Sequence, residues 1–247
     1  MFNQDASTET AAAQPLTRAD RQQQARDLTR RAILDAALEL FVADGYPQVS
    51  IRKIAARVGY SPAAIYSYFA SKDDIFYALA EEGFRLLGAA QTIDLPSAGP
   101  LDDIRLAAWR MHEFSKRQPQ YFALVFLDRG APRIARESER FAFILEIKDA
   151  IRTRMQRCID QGLFPADLSV DVALRLLLAP VFGLVQLRLS GRLLPTEDAD
   201  ALVHDAIEVT IAGLRAGAAQ RARTVAACPE PHAAVPSLAA TGARHES

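Results

Sequence analysis

The sequence predicts an all-α protein with two parts, a small N-terminal three-helix unit and a larger C-terminal helical domain. Two observations carry this prediction. Apolar residues recur at three- and four-residue spacing through most of the chain, and serine, proline and glycine residues stand where helices would begin and end. No run of alternating apolar and polar residues bounded by glycine turns favours a sheet.

The composition leaves most function classes open. The chain has 247 residues, 50% of them apolar, and a formal net charge of -1. It can bury a core, and any nucleic-acid surface must come from local segregation of charge. No secretory leader pattern opens the chain, and the apolar run 173–189 contains two arginines and looks too short for a membrane span. We therefore expect a soluble, cytoplasmic protein with no membrane partner.

Cysteines and histidines suggest no redox or metal chemistry. Cys158 and Cys228 lie far apart and form no CxxC pair, so two free thiols are favoured over a redox switch. The four histidines are scattered along the chain. We expect no metal site and no cofactor.

Four zones follow from the patterning. A disordered arm is predicted over 1–17, a helix-turn-helix unit over 18–87, a larger helical domain over 88–216 and a disordered tail over 217–247. The arm lacks apolar periodicity and the tail is rich in Ala, Pro and Arg, so neither can bury a core. A stretch containing Pro and Gly, residues 93–100, separates the two helical parts.

The first predicted helix covers 29–43. Its apolar stripe ends at Asp44, and Gly45 suits the left-handed C-terminal cap. Ser50, Ser61 and Ser71 are then predicted to cap three further helices. Pro62 fits the first position of the third helix, Gly59 ends the second, and the fourth covers 72–87.

Residues 50–69 form the segment with the clearest functional pattern. Two helices this short, joined by a glycine turn, must pack on the first helix, which is typical of a helix-turn-helix whose second helix enters the DNA major groove. Ala64, Ile65 and Phe69 are expected to turn toward the core. The residues left to face outward or flank the turn are Tyr60, Ser61, Ala63, Tyr66, Ser67 and Tyr68. Tyrosines there suit phosphates, since the phenol donates a hydrogen bond while the ring packs on sugar.

Charge supports the same interpretation. No acidic residue lies between Val49 and Ser71, whereas Arg52, Lys53 and Arg57 do. Lys72 opens the next helix, where it and free backbone amides could hold a phosphate. A solvated basic helix face would explain the bases alone, but not the spacing of the helix signals.

Four motifs carry a family resemblance. They are A-x-x-L-F-x-x-x-G from Ala37 to Gly45, I-A-x-x-x-G from Ile54, Y-x-Y-F from Tyr66, and S-K-D-D-I from Ser71. In these motifs the segment 33–82, about a fifth of the chain, resembles the N-terminal domain of tetracycline-repressor-like (TetR-like) transcription regulators.

The resemblance implies a set of DNA contacts. Phosphate contacts are implied for Ser50, Tyr66, Tyr68 and Lys72, and base-edge contacts for Ser61, Ala63, Ala64 and Ser67. A basic N-terminal extension, residues 21–31, is implied to reach the minor groove. The two alanines offer only methyl contacts to thymine, so we expect DNA shape to contribute to recognition.

The resemblance also implies that the larger domain binds a small-molecule effector. The residues proposed to line its pocket are Trp109, His112, Phe114, Tyr121, Phe122, Phe126 and Phe143. Each one taken singly is better explained as ordinary core of a helical bundle, and His112 alone as a core histidine. As a set, some of these residues are expected to line a cavity.

The last two predicted helices, 170–190 and 198–214, suggest a homodimer. The first is apolar nearly all round, so it needs a partner beyond its own domain. The resemblance implies that both helices pair with those of a second subunit, with Ala179 and Gly183 permitting close approach. A two-fold interface would match a palindromic double-stranded operator.

The leading hypothesis is a sequence-specific DNA-binding regulator, a repressor that a small-molecule ligand releases from its operator. One alternative is a non-specific architectural DNA-associated factor. Another, a helical small-molecule enzyme, is disfavoured because the sequence lacks HExxH, a Gly-rich phosphate loop and an obvious nucleophile–base pair.

Overall fold

A computed structural model describes residues 17–91, 99–128, 130, 132 and 141–219, and these residues contain nine α-helices and no strand. The helices are α1 (Arg18–Asp44), α2 (Ile51–Val58), α3 (Pro62–Tyr66), α4 (Lys72–Gln91), α5 (Pro100–Arg117), α6 (Pro119–Phe122), α7 (Ala142–Asp160), α8 (Val170–Leu189) and α9 (Ala199–Arg215). A 3-10 turn, Tyr46–Gln48, follows α1, and a π-helical turn, Ala123–Leu127, follows α6. The predicted all-α fold class is confirmed.

The predicted serine caps are confirmed. The hydroxyl of Ser50 accepts a hydrogen bond from the amide of Lys53 at 3.3 Å, and Ser61 and Ser71 accept in the same way at the starts of α3 and α4. Each cap satisfies a backbone donor that the first helical turn leaves without a partner. Gly59 ends α2 with φ +73°, in the left-handed conformation.

Two local predictions were wrong. Helix α1 begins at Arg18 rather than near Thr29, because Thr17 and Asp20 form a capping box and the first turns carry no apolar stripe that periodicity could detect. Gly45 has φ +79° but ψ 147°, so it leaves α1 in a glycine-favouring extended conformation rather than as a left-handed cap.

Helices α2 and α3 are fixed on α1 and α4 by a continuous apolar core. Ile33 and Phe41 of α1, Ile54 of α2, Ile65 of α3 and Ile75 of α4 are each at most 1% exposed. Burying each of these side chains stabilises the folded state by about 2 kcal/mol. The packing leaves the opposite side of α3 to solvent.

Helix α8 covers nearly the predicted 170–190, but it is longer than the apolar run 173–189 that looked too short for a membrane span. It begins at Val170, ahead of the apolar run, and with 20 residues and a mean hydropathy of 1.8 it is long and apolar enough to cross a membrane. Only 22% of that apolar window is buried, so most of the apolar surface of α8 has no cover within the described part of the chain. Leu176 and Leu187 are 41% and 38% exposed.

The predicted boundary between the two parts falls inside a helix. Helix α4 runs without a break from Lys72 to Gln91 and therefore joins the N-terminal unit to the larger domain. The predicted disorder of 1–16 and 220–247, and most of the predicted 93–100 break, lie outside the described residues.

Candidate functional site

The outward side of α3 is polar and accessible. Ile65 is fully buried, whereas Tyr60 and Tyr66 are 45% and 55% exposed. The small residues predicted to accompany them, Ser61, Ala63 and Ser67, are exposed as well. Ala64 and Tyr68 are half-buried. The structure thus brings most of the predicted DNA-contacting residues onto one exposed surface.

Side chains of helix α1 contact the residues at both ends of α3. The guanidinium of Arg26 lies 5.5 Å from the ring centroid of Tyr68 and donates a hydrogen bond of 3.4 Å to the Ser67 carbonyl. The Thr29 hydroxyl is 3.5 Å from that of Tyr60. Both residues fall within the extension 21–31 that the resemblance implies to contact DNA, but patterning did not predict their contacts with Ser67 and Tyr60, because they are polar and belong to no apolar stripe.

The basic window of α2 is partly neutralised in space. Lys53 pairs with Asp44 at 3.4 Å, and Arg57 pairs with Glu39 at 2.6 Å. Both acids belong to α1, outside the acid-free stretch of sequence. Arg52 is an exposed base of the same helix. The positive electrostatic potential over α2 is therefore weaker than the acid-free stretch between Val49 and Ser71 indicates.

Lys72 is engaged with the backbone. Its ammonium donates to the carbonyls of Tyr46 and Val49 at 2.9 and 3.0 Å, and it lies 3.9 Å from the Tyr46 ring centroid. These contacts brace the turn that leads into α2. Since an ammonium has three donors, a phosphate contact would use the remaining one.

Tyr46 connects the N-terminal unit to the larger domain. Its backbone amide donates to the Asp128 carboxylate at 2.9 Å, and its hydroxyl donates to Asp73. Burial, together with the Asp73 hydrogen bond, raises the pKa of Tyr46 above its usual range. Asp128 directly follows the π-helical turn.

Arg31 makes a second connection. Its guanidinium donates to both carboxylate oxygens of Glu82 on α4, at 2.7 and 2.8 Å, and to the Tyr121 hydroxyl at 3.3 Å. Asp35, one turn later on α1, also pairs with it, and the hydrogen bond that Arg31 donates to Asp35 raises the pKa of Arg31 most. The segment 119–128 therefore contacts the N-terminal unit at two places.

Some of the predicted effector-pocket residues come together. The rings of Phe122 and Phe126 are 5.1 Å apart, and Phe114 lies 6.5 Å from Phe122. Phe182 of α8 stacks on Phe126 at 5.4 Å. Sequence reasoning missed Phe182 because α8 was interpreted only as a dimerisation helix.

The other predicted pocket residues lie elsewhere. Trp109 packs against His112, with ring centroids 5.2 Å apart. His112 is fully buried, and its Nε2 is 2.8 Å from a carboxylate oxygen of Asp200, as expected of a core histidine. Tyr121 belongs to the Arg31 contacts, and Phe143 lies under the Arg85 guanidinium at 4.8 Å.

Two grooves of ligand size open on the larger domain. One, of about 720 Å³, lies between α7 and α8, and Phe182 forms part of its wall. Its apolar lining includes Leu145, Leu174 and Leu178, and its charged lining Lys148, Asp149, Arg152, Asp171 and Arg175. The other, of about 560 Å³, lies between α4 and α5 and is lined by Trp109 and Phe114, among others.

Cys158 has no feature of a redox site. It is fully buried, and burial raises the pKa of its thiol to about 11. The thiol is therefore protonated at neutral pH, which suppresses its reactivity. Cys228 lies outside the described residues.

Known proteins share both the motifs and the fold. Residues 33–79 match the family described as bacterial regulatory proteins, tetR family. The HTH-type transcriptional repressor Rv3405c of Mycobacterium tuberculosis is 31% identical over 158 residues, which cover 64% of this chain and 72% of that protein. The HTH-type transcriptional regulator AcrR of Shigella flexneri is 28% identical over 167 residues, 64% of this chain and 77% of that protein.

The fold is also found among solved structures. The transcriptional regulator FadR from Bacillus subtilis, in complex with stearoyl-CoA, aligns with a TM-score of 0.59 and 21% identity over 74% of this chain and 98% of that one. Together with the exposed polar side of α3, these similarities identify the function of the N-terminal unit. The chain belongs to the tetR family of bacterial regulatory proteins and is a helix-turn-helix, DNA-binding transcriptional regulator.

Proposed function

We propose that this regulator is a cytoplasmic repressor that holds a palindromic operator through α3 and leaves it when a small molecule binds the larger domain. The observation that carries the proposal is the two-sided α3: Ile65 anchors one side in the core, whereas Tyr66 on the other side and Tyr60 just ahead of the helix are 55% and 45% exposed. A helix that the core holds in place, with exposed tyrosine side chains, can enter the major groove and donate hydrogen bonds to the DNA phosphates. The Mycobacterium tuberculosis relative, named a repressor, supports the direction of control.

Selection from a pool of random duplexes tests the proposal. The purified full chain should enrich one palindromic sequence, since a two-fold dimer presents two identical reading helices. A reporter placed behind that sequence should be silenced by the protein. Enrichment of no sequence would favour the architectural alternative, which binds DNA without a preferred site.

We propose further that the repressor is a homodimer formed through α8 and α9. Val209 of α9 is 72% exposed, and the outer side of α8 carries exposed Leu176 and Leu187. A Cβ added to Gly183 would meet no atom within 4 Å, so this glycine is not required by packing within the chain. An apolar surface of this kind, with small residues among large ones, suits a second copy of itself.

Val209→Glu tests the dimer. Placing a carboxylate in the proposed interface should convert the protein to monomer in analytical ultracentrifugation, whereas Leu194→Glu, at a 62% exposed leucine outside both helices, should leave the dimer intact. A wild-type monomer that partitions onto lipid vesicles would instead assign the exposed side of α8 to a membrane. Either a monomeric wild type or a dimeric Val209→Glu variant would contradict the proposed interface.

We propose the groove between α7 and α8 as the effector site. Its leucines can hold an apolar body, and its three basic lining residues outnumber its two acids, one of which pairs with Arg152, so the groove suits an anionic group. Phe182 lines this groove and stacks on Phe126, just ahead of Asp128 and its hydrogen bond to the N-terminal unit. Solved structures with this fold include one with stearoyl-CoA bound.

Dodecanoate is a suitable first probe because it combines an alkyl chain with one carboxylate. It should raise the melting temperature of the wild type in proportion to occupancy. Leu178→Gln, in the α7–α8 groove, should abolish the shift, whereas Leu106→Gln, at an equally half-buried leucine of the α4–α5 groove, should not. The reverse pattern would move the site to the α4–α5 groove.

A further inference from the structure

We infer that the first turns of α1, residues 17–28, bind the DNA backbone beside the bases that α3 reads, as a rigid helix rather than as a flexible arm. We call these residues the α1 extension. The inference rests on the proposed DNA binding by α3. It differs from what the family resemblance implies for the basic N-terminal residues, namely insertion into the minor groove.

The α1 extension is helical although it buries nothing. Every residue from Thr17 to Leu28 is exposed, and Ile33 is the first buried residue of α1. The Thr17 amide and hydroxyl both donate to Asp20, at 2.9 and 2.7 Å, and the Thr17 hydroxyl accepts from the Asp20 amide at 3.2 Å. Such a capping box, with strong helix formers behind it, extends a helix that the core has already nucleated.

The α1 extension points along the DNA-facing side of the molecule. Arg26 and Thr29 already contact residues at the two ends of α3. Arg18 precedes Thr29 by about three helical turns, so both lie within about 20° of each other around the helix and roughly 16 Å apart along its axis. Arg18 therefore lies on the same side as the α3 contacts, and Arg21 lies on the adjoining flank.

The charge of the α1 extension and its surroundings suits a polyanion. Residues 18–30 contain four arginines and two aspartates. One of these aspartates, Asp20, is committed to the cap, and its hydrogen bonds with Thr17 lower the pKa of its carboxyl. A reach of roughly 16 Å matches about five phosphates along one strand. Because the same side of α1 touches α3, the polyanion next to it is the duplex that α3 reads.

Helix width decides which part of the duplex is contacted. An α-helix with its side chains is about 10–12 Å across, whereas the B-DNA minor groove is about 6 Å wide. The α1 extension cannot enter that groove while it stays helical. Its arginines are placed to contact phosphates flanking the half-site, which adds affinity and footprint length without adding sequence information.

Arg18→Gln/Arg21→Gln tests the contact on the full chain, with Arg157→Gln/Arg192→Gln, two exposed arginines of the larger domain, as the charge-matched control. On the selected operator, the test variant should bind more weakly and its salt slope should fall by about 3.6, which is two phosphate contacts in each of two subunits at about 0.9 each. Hydroxyl-radical protection should shrink by about five base pairs at each outer edge. The control should match the wild type in all three measurements.

Gln24→Pro tests rigidity, because proline breaks the helix while every charge remains. Its footprint should lose the same outer protection as the double variant, and Gln24→Ala should keep it. An unchanged Gln24→Pro footprint, or an unchanged salt slope in the double variant, overturns the inference. If the wild type selects no operator, the proposed function fails, and the salt slopes on random duplexes still decide whether the α1 extension binds phosphates.

Discussion

The backbone amide of Tyr46 donates a hydrogen bond of 2.9 Å to the carboxylate of Asp128, and this bond joins the helix-turn-helix unit to the larger domain. The other oxygen of Asp128 accepts from the Gly130 amide at 2.8 Å. Gly130 in turn lies so close to Pro47 that an added Cβ would come within 2.5 Å of that ring. Asp128 and Gly130, which follow the π-helical turn, thus pack against Tyr46 and Pro47 in the turn that leads into α2.

Removing the Asp128 carboxylate should weaken the contact between the helix-turn-helix unit and the larger domain. Asp128→Ala leaves the Tyr46 amide without its partner and should cost about 1 kcal/mol of unfolding free energy. Amide hydrogen exchange should show faster exchange at Tyr46 while α2 and α3 keep their protection. Asp128→Asn keeps one acceptor oxygen but places its NH2 against the second amide donor, so its exchange should fall between those of the wild type and Asp128→Ala. Unchanged exchange at Tyr46 in Asp128→Ala would show that this bond does not hold the two parts together.

The same loop should reject a side chain at Gly130. Gly130→Ala would force either Pro47 or the loop to move, since both the Cγ and the Cδ of Pro47 lie within 2.6 Å of the added Cβ. We expect faster exchange at Tyr46 in this variant too, without loss of the Asp128 carboxylate. Crystal structures of the variant and the wild type should differ at the loop, and identical loops would contradict the steric argument.

Arg31 should stabilise the junction of α1 and α4 through its branched guanidinium. Its Nη1 donates to both oxygens of Glu82 while Nε and Nη2 donate to Asp35, but the Arg31 side chain is 40% exposed, so we expect Arg31→Ala to cost only about 1 kcal/mol in urea unfolding. Arg31→Lys should recover less than half of that, because an ammonium cannot point separate nitrogens at Glu82 and Asp35. Full recovery by lysine would mean that charge alone matters. Arg85→Ala, a surface arginine of α4, serves as control.

Lys72 should act more through structure than through charge. Lys72→Ala removes two hydrogen bonds to the carbonyls of Tyr46 and Val49 and should lower the unfolding free energy by about 2 kcal/mol. Arg52→Ala removes an exposed base of α2 and should change it by less than about 0.5 kcal/mol. Both variants should bind DNA less well. Equal stability of the two would assign Lys72 to phosphate binding alone.

Asp200 should contribute to acid sensitivity. Hydrogen bonds from Lys116 and then His112 lower the pKa of its carboxyl in the folded chain. A lowered pKa stabilises the fold above the ordinary aspartate pKa of about 3.9, and this contribution is lost as the pH falls through the folded value. Asp200→Asn should therefore flatten the fall of the urea midpoint below about pH 4. Asp205→Asn, at a more exposed acid of the same helix, should keep the wild-type slope.

Local chemistry made the helix-turn-helix predictable. A serine cap, a proline at the first helical position and a left-handed glycine act within a few residues, so Ser50, Ser61 and Gly59 could be placed from the chain alone. The apolar stripe of α1 placed its buried half in the same way. The motifs around Tyr66 indicated the family to which the chain belongs.

Long-range pairing was not predictable in the same way. The exposed half of α1 has no stripe, so its helical start was missed. Arg57 looked like an unopposed base until folding brought Glu39 to it, and Phe182 joined Phe126 only through the packing of α8 on the π-helical turn. Such contacts depend on how helices cross, which spacing within one helix does not encode.

Fluorescence anisotropy on the selected operator and on a scrambled duplex of equal length tests the central claim most directly. At 150 mM salt the wild type should bind the operator at least about a thousandfold more tightly. Tyr66→Phe/Ser67→Ala, two exposed hydroxyls at the end of α3, should weaken operator binding, while Ser190→Ala, at the end of α8, should not. Equal affinity for both duplexes, or no effect of the α3 variant, would contradict the assignment of α3 as the reading helix.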